Sequence, residues 1–496
     1  MRPTIRTVKI GLSLLSSLFL FACGGQGGHG PVIVSVIGNA RDLAEPLTYI
    51  DTVAGQVVLG ATARGLVTFD ESGEVIPALA QRWIITDDGK SYIFRLRRAR
   101  WPNGDHVDAR EVARLLKARI AAVTRIDSFG NMAAVSDVVA RTTDVIEIRI
   151  NQARPNFLFM LAQPQMAIAR RAGGTGPYHK RAQVKTLLLT PMSDPMTAGV
   201  TDDAAPQLWQ NRVLRSESAA KAIMRFVDHQ ADLVTGGSVA ELPYLTLAEV
   251  DRAAVHLDPV QGLFGLAVTG TGDFVADRDV RAALSMAIDR DALTRSFALN
   301  GWSTTLTIVP QQLNMDHPPS QPVWAKTPMD RRWRTAAAII ARWKSLNSGD
   351  KPDISIKVGA GPGAKLLFIA IAHDLARIGI NAHIADGDGR KPADLTLINE
   401  VAPYDSAFWY LGRVSCARKV QCDPQADAAL HDASVTADLA DRAEKLGEAE
   451  VLTQQNGGFI PLATPVRWSL VSRRLTGFAP SPRGYHPLNL LFGGPK

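Results

Sequence analysis

The apolar run Ile10–Ala22 limits what this chain can become more than any other stretch. Arg2, Arg6 and Lys9 precede it, only small residues interrupt it, and Cys23 follows it. It falls short of the roughly 20 apolar residues needed to cross a bilayer. A basic start, a short apolar centre and a small residue before a cut site mark a secretory signal. Residues 1–22 are therefore expected to leave, and the rest of the chain to fold outside the cytoplasm.

The run ends Leu20-Phe21-Ala22-Cys23. This resembles the bacterial lipobox, in which the cysteine is lipidated and becomes the mature N-terminus, although Phe21 is bulkier than the residue usual there. Behind it, Gly24–Gly30 is glycine apart from Gln26 and His29, the composition of a flexible tether. Residues 23–30 are thus read as a lipidated tether. Acyl chains would anchor it through about 0.8 kcal/mol per buried methylene. No later segment is apolar and long enough to span a membrane.

The remaining chain of roughly 470 residues has room for two or three domains. Its formal net charge of +7 becomes +4 once the three basic residues of the signal depart (7 − 3), and the excess is dispersed. A nucleic-acid partner is not expected on that basis. Removing Cys23 leaves Cys416 and Cys422. In an oxidising compartment such a pair forms a disulfide; two free thiols or a metal pair are the alternatives, and the spacing does not suit a zinc knuckle.

Local patterns give a mixed α/β reading. Leu66–Phe69 and Val75–Ile76 flank Asp70–Gly73, and Trp83–Ile85 and Tyr92–Leu96 flank Asp87-Asp88-Gly89. Gly at the second position of an Asp-Gly step takes the positive φ a tight hairpin needs. A helix follows, with Asp108 as cap and Glu111 completing a capping box; Val112, Leu115, Leu116 and Ile120 share its inner face. Val145–Ile150 alternates as a strand, Leu263–Val268 reads as a buried strand crossing between lobes, and Asp279–Phe297 as one helix. Beyond an exposed proline-rich stretch, 310–328, the text alternates: helix 334–346, strand 354–358, helix 366–378, strand 394–398, helix 437–452, strand 459–462. Such alternation indicates an α/β lobe.

Several motifs then agree in order and spacing. Gly65-Leu66-Val67, Pro77-Ala78-Leu79-Ala80, Trp83, Asp87-Asp88-Gly89, Tyr92, Phe94, Trp101, Asn103-Gly104-Asp105 and Ala109-Arg110-Glu111-Val112 form one long match. Gly174-Thr175-Gly176-Pro177-Tyr178, Val280-Arg281-Ala282-Ala283-Leu284 with Ala287-Ile288-Asp289-Arg290, and Ile460-Pro461-Leu462 extend it. The chain resembles the family-5 extracellular solute-binding proteins, the peptide/nickel binding group of ABC importers. The resemblance implies an α/β, two-lobed periplasmic-binding-protein fold (type II, cluster C-like) with an extra small domain. It implies lobe I from 31–63, 173–268 and 453–496, the small domain from 64–172, and lobe II from 269–452. It also implies a monomer on the periplasmic side of a bacterial membrane, serving a permease and ATPase.

One departure bears on the ligand. Peptide-binding members resemble one another at a Gly-Trp-x-x-Asp-Tyr text, whose aspartate holds the peptide amine. The corresponding text here is Asn399-Glu400-Val401-Ala402-Pro403-Tyr404, followed by Asp405. Tyr404 matches, while Glu400 replaces the tryptophan and Pro403 the aspartate. Glu400 or Asp405 could supply the anion from a shifted place, or the ligand lacks a free amine. Trp409 could stack on a ligand; it and Tyr410 also suit a lobe core. No cofactor, metal or catalytic residue is implied. The histidines lack paired spacing, no Gly-x-Ser-x-Gly elbow occurs, and Gly359–Gly363 lacks the lysine and hydroxyl of a phosphate loop. The expected function is capture of a peptide-like solute for an ABC importer. The alternatives are a sensor or surface lipoprotein uncoupled from transport, or a binder of chelated nickel, sugar or another non-peptide solute.

Intact-mass analysis of membrane-extracted protein should find a chain beginning at an acylated Cys23. A mass without acyl groups rules out the tether.

Overall fold

The computed structural model describes residues 30–493, apart from 71, 88, 126–131, 155, 193–207, 312, 314, 348–351 and 386–391. Cys23 and the expected signal lie outside the described residues. Among the described residues no helix is long and apolar enough to cross a membrane.

Two large sheets carry the fold, two-lobed as expected. The first runs, in spatial order, Tyr178–Ala182, Leu187–Pro191, Arg212–Glu217, Val32–Ile37, Leu233–Ser238, Arg467–Val471 and Val255–Leu257. Its centre is parallel: Val32–Ile37 pairs in parallel with both neighbours, and Val32, Val34 and Val36 are fully buried. Parallel strands covered on both faces need such apolar runs. The second sheet runs Asn381–Ile384, Asp353–Lys357, Leu395–Val401, Gly262–Val268 and Phe459–Ala463. Gly262–Val268 and Phe459–Ala463 thus hydrogen-bond into lobe II, although both lie inside the spans expected for lobe I. The chain crosses between the sheets at 258–261 and again at 464–466.

A third sheet, Ala80–Thr86, Ser91–Leu96, Val145–Ile150 and Val135–Ala140, forms the small domain with the helix Ala109–Arg125. Its hairpin turns at Asp87 (φ 54°) and Gly89 (φ 84°). Phe94, Ile146, Ile148 and Val112 are fully buried and form its core. Asp108 caps the helix, its Oδ1 accepting from the Arg110 and Glu111 amides at 2.8 and 3.0 Å. The reciprocal half of the expected capping box does not form. The Glu111 carboxylate grips the Arg170 guanidinium with both oxygens, a charge-assisted pair stronger than a bond to a neutral amide.

Lobe II departs from the sequence reading in two places. The single helix expected over 279–297 is two, Arg278–Ala287 and Arg290–Arg295. The chain is extended at Ile288 and Asp289; Asp289 caps the second helix through the Ala292 amide (2.9 Å) and donates its own N–H to Asp374 (2.9 Å). A helix at Pro424–Val435 was not expected, because its buried face is only Ala426, Ala429 and Ala433. Before it, a disulfide joins Cys416 and Cys422, with Cα atoms 5.1 Å apart.

Two buried arginines bond main chain rather than carboxylates. Arg281 donates to Val275 and Asn456 carbonyls (3.0 and 2.9 Å). Arg290 donates to the carbonyls of Pro461 (2.7 Å), Ser285 (2.9 Å) and Ile288 (3.2 Å), tying the helical layer to the strand Phe459–Ala463. Burial lowers the Arg290 guanidinium to about 9, still cationic at neutral pH.

Arg290→Ala leaves those carbonyls buried without donors, each unmet group costing about 1–3 kcal/mol. Urea unfolding should show a loss of about 2 kcal/mol or more at unchanged m-value. A loss within 0.5 kcal/mol, roughly that of a surface substitution, would contradict this role.

Candidate functional site

The lobes face each other across a cleft of about 370 Å³. That volume lies within the roughly 300–1,000 Å³ range of small-molecule sites. Lobe II builds one wall from the end of Leu395–Val401, which delivers Asn399 and Glu400, and from the helix Ala407–Arg413, which delivers Trp409. Lobe I builds the other from Asp51, the helix Val53–Thr62, Thr235–Gly237, Arg467–Ser469 and the tail residues 483–486. Gln163 and Gln165 reach in from the loop after the helix Phe157–Leu161.

Local backbone features shape the lobe I wall. The ladder between Leu233–Ser238 and Arg467–Val471 shifts register between Val234 and Gly237. Gly236 sits at φ 89°, where a residue with Cβ would be strained. A bulge of this kind bends the strand and re-aims its backbone, here at Thr235–Gly237. Gly60 is required for a different reason: a Cβ there would lie 1.7 Å from the Tyr485 hydroxyl oxygen. Its absence lets Tyr485 pack between lobe I and the cleft, where burial raises its hydroxyl above the ordinary value.

Almost every charge on these walls is already engaged. Arg467, on lobe I, donates across the cleft to the Asn399 side chain (2.8 Å) and main-chain oxygen (3.0 Å). Burial lowers its guanidinium to about 10, partly offset by the surrounding Glu241, Asp258 and Glu400. Asp258 accepts from the Ser481 amide (2.8 Å) and contacts His486 Nε2 at 3.1 Å. Arg483 makes a two-pronged pair with Asp405 at 3.0 and 2.9 Å. Gln163 donates to the Pro403 carbonyl at 2.8 Å. Arg467–Asn399, Arg483–Asp405, a longer Arg483–Ala402 carbonyl contact (3.4 Å) and Gln163–Pro403 bridge the two sides.

The sequence-derived candidates separate by position. Glu400 lines the cleft, but its carboxylate is clasped by Arg413, one bond being 2.7 Å. Asp405 stands at the rim, with its side chain 58% exposed, in the pair with Arg483. Trp409 lines the cleft and is buried, edge-on to Tyr410 with ring centroids 4.9 Å apart. Tyr404 lies outside the cleft, buried beside a small void lined by Arg154, Phe408 and Arg442. Asp51, Gln163, Gln165, Arg467 and Arg483 were not signalled by any motif. Asp51 is exposed at the cleft, and its carboxylate has no hydrogen bond or ion pair among the described residues. Among the described residues no group of three or more His, Cys, Asp or Glu could hold a metal.

This arrangement can enclose and release a solute; comparison with other proteins agrees. The model for bacterial extracellular solute-binding proteins, family 5 (middle), matches residues 74–415. The periplasmic oligopeptide-binding protein OppA of Haemophilus influenzae is 20% identical over 466 residues, covering 84% of this chain and 85% of that one. Its crystal structure with the peptide RPPGFSPFR superposes with a TM-score of 0.77 at 18% identity, over 93% of this chain and 99% of that one. The Escherichia coli murein tripeptide binding protein MppA gives 0.77 at 17% identity, over 95% and 99%. A probable deoxycholate-binding periplasmic protein of E. coli, YgiS, is 31% identical over 140 residues, covering 25% of this chain and 26% of that one. The structural likenesses show a shared fold.

Arg483→Met should loosen the closed state of the empty protein. An ion pair with one exposed partner contributes about 0.5–1 kcal/mol, a few-fold in the open-to-closed ratio. Distance measurement between labels on the two lobes should show the open population growing. An unchanged distribution would remove Arg483–Asp405 as a latch.

Proposed function

The chain belongs to the bacterial extracellular solute-binding proteins of family 5, and we propose that it captures a peptide-like solute between its lobes and delivers it to an ABC permease and its ATPase. The observation that carries this reading is the cleft itself. Both lobes wall it, two chain crossings join them among the described residues, and hydrogen bonds and an ion pair bridge it. Binding, lobe closure and release need no covalent step, so the protein acts as a carrier and not an enzyme. The family's members are solute-binding proteins, and the relatives named above are periplasmic. A lipidated Cys23 would keep this carrier, as a monomer, beside its permease.

Peptide as the substrate class rests on relatives named for oligopeptide and murein tripeptide binding. The site would hold such a ligand in its own way. Pro403 supplies no anion, and its carbonyl is occupied by Gln163. Glu400 would have to release Arg413, and Asp405 would have to release Arg483, before either met an ammonium group. Asp51, on the opposite lobe, is the wall carboxylate left open. It is the group assigned here to a ligand amine, while Trp409, buried in the wall, backs the apolar side of the cleft.

Native mass spectrometry of the whole chain against pools of di- to pentapeptides tests the reading. A retained peptide at 100 times its Kd should stabilise the fold by about 2.7 kcal/mol in a melting scan. Asp51→Asn should weaken free-amine peptides about threefold to tenfold, the range for a partly exposed ion pair, and leave N-acetylated ones unchanged. A folded protein that retains no peptide would move the search to chelated metals, sugars and other small solutes.

A further inference from the structure

Two neutral hydrogen-bonding groups of the cleft have no partner among the described residues. They are the indole Nε1–H of Trp409, a donor, and the side-chain carbonyl oxygen Oε1 of Gln165, an acceptor. Both residues line the cleft, and both are more than nine-tenths buried, Trp409 being 3% and Gln165 8% exposed. Trp409 stands on the lobe II helix Ala407–Arg413, and Gln165 on the turn Pro164–Met166 that follows the helix Phe157–Leu161.

Comparable side chains nearby are satisfied. The indole N–H groups of Trp302, Trp333 and Trp468 each donate to a main-chain carbonyl, at 2.8, 2.8 and 2.9 Å, and Trp468 does so from the cleft wall itself. Gln163, two residues before Gln165, donates to the Phe159 and Pro403 carbonyls at 3.2 and 2.8 Å. A buried donor or acceptor left unmet costs its full desolvation, and native structures keep few of them. One of each on the walls of a single cleft describes what the solute brings: an acceptor for Trp409 and a donor for Gln165. A carboxylate supplies acceptors alone and an ammonium donors alone. A hydroxyl supplies both, but from one atom. A trans secondary amide is planar and carries its C=O and N–H on opposite edges, which suits two groups held by separate elements.

We propose that Trp409 and Gln165 select solutes carrying secondary amide groups, the indole N–H meeting an amide carbonyl and the Gln165 carbonyl meeting an amide N–H. The inference rests on the reading of the cleft as the solute site and names the group that the cleft recognises there, whether or not that solute is a peptide.

Calorimetric titration of the whole chain tests it. Peptides retained from the di- to pentapeptide pools are resynthesised with one backbone amide at a time replaced by an ester, which removes an N–H and keeps the shape. One ester position should lower affinity about fivefold, the net effect of one hydrogen bond. Gln165→Met, which lacks the acceptor, should bind that ester and its parent peptide alike. Trp409→Phe keeps an aromatic ring without the N–H and should weaken the parent peptide about fivefold. The ester series reads the unaltered protein, so it decides even where a variant fails to fold. N,N′-diacetylchitobiose serves as an amide solute that is not a peptide, with cellobiose as its hydroxyl-only counterpart. If the disaccharide with amides binds, cellobiose does not and no peptide is retained, the peptide reading falls and this proposal stands. Retained peptides whose esters all bind the parent protein as well as the amides do overturn this proposal and leave the peptide reading intact. A folded parent chain that binds neither amide class, or that binds cellobiose as tightly as N,N′-diacetylchitobiose, also overturns it.

Discussion

The two chain crossings between the lobes are the constraint on which the rest of the molecule depends. They are not independent. On the lobe I side Val255–Leu257 pairs antiparallel with Arg467–Val471, and on the lobe II side Gly262–Val268 pairs antiparallel with Phe459–Ala463. Asp258 donates its N–H to the Arg467 carbonyl at 3.0 Å, so the pairing runs into the gap between sheets. A two-stranded ribbon of this kind bends more readily than it shears. On its other side Gly262 meets the lobe II strand Leu395–Val401 so closely that a Cβ would lie 2.0 Å from the Glu400 carbonyl oxygen. One apolar core continues past the ribbon, from Val234 and Leu242 in lobe I to Phe264 and Leu266 in lobe II. A second apolar core joins Phe157 and Met160 to Tyr404 and Trp409 of lobe II.

At the cleft Arg467, Arg483, Asp258 and Glu400 stand along the walls, with Asp405 exposed at the rim. Desolvated charges must find partners there, and these do so within the protein. Arg467 is met by an amide and a carbonyl, Arg483 by Asp405, Glu400 by Arg413. A ligand entering such a site either exchanges these partners or uses groups the protein has left open. Under the proposed reading, recognition would shift away from lobe II's loop 399–405 and towards Asp51 and the neutral groups on the wall.

Much of the fold was legible in the sequence because its signals are local. The Asp-Gly turn at 87–89 and the alternation of Tyr92, Phe94 and Leu96 mark a hairpin whatever lies around it. The alternation of strands and helices in lobe II marks an α/β layer in the same way. Signals failed where structure depends on distant partners. The break at Ile288–Asp289 is stabilised by Asp374, 85 residues away. The helix Pro424–Val435 has only alanines to bury, so its amphipathic period is faint. Glu111 reads as a capping-box residue until Arg170 is placed beside it. The site was less legible than the fold. Glu400 and Trp409 stand in the cleft, but Tyr404 is turned into a packed core, and Gln163, Arg467 and Arg483 come from segments that carry no motif.

By itself the sequence determined the Asp-Gly hairpin of the small domain, the α/β character of the lobes and the resemblance that names the family. These are properties of short windows, where side-chain period, turn chemistry and composition act within a few residues. Tertiary structure alone decided which strands belong to which lobe, because sheet membership is set by hydrogen bonds between segments such as Gly262–Val268 and Phe459–Ala463, nearly 200 residues apart. It alone decided which charges are free. An aspartate reads the same in the sequence whether paired or not, and only folding set Asp405 on Arg483 while leaving Asp51 without a partner among the described residues.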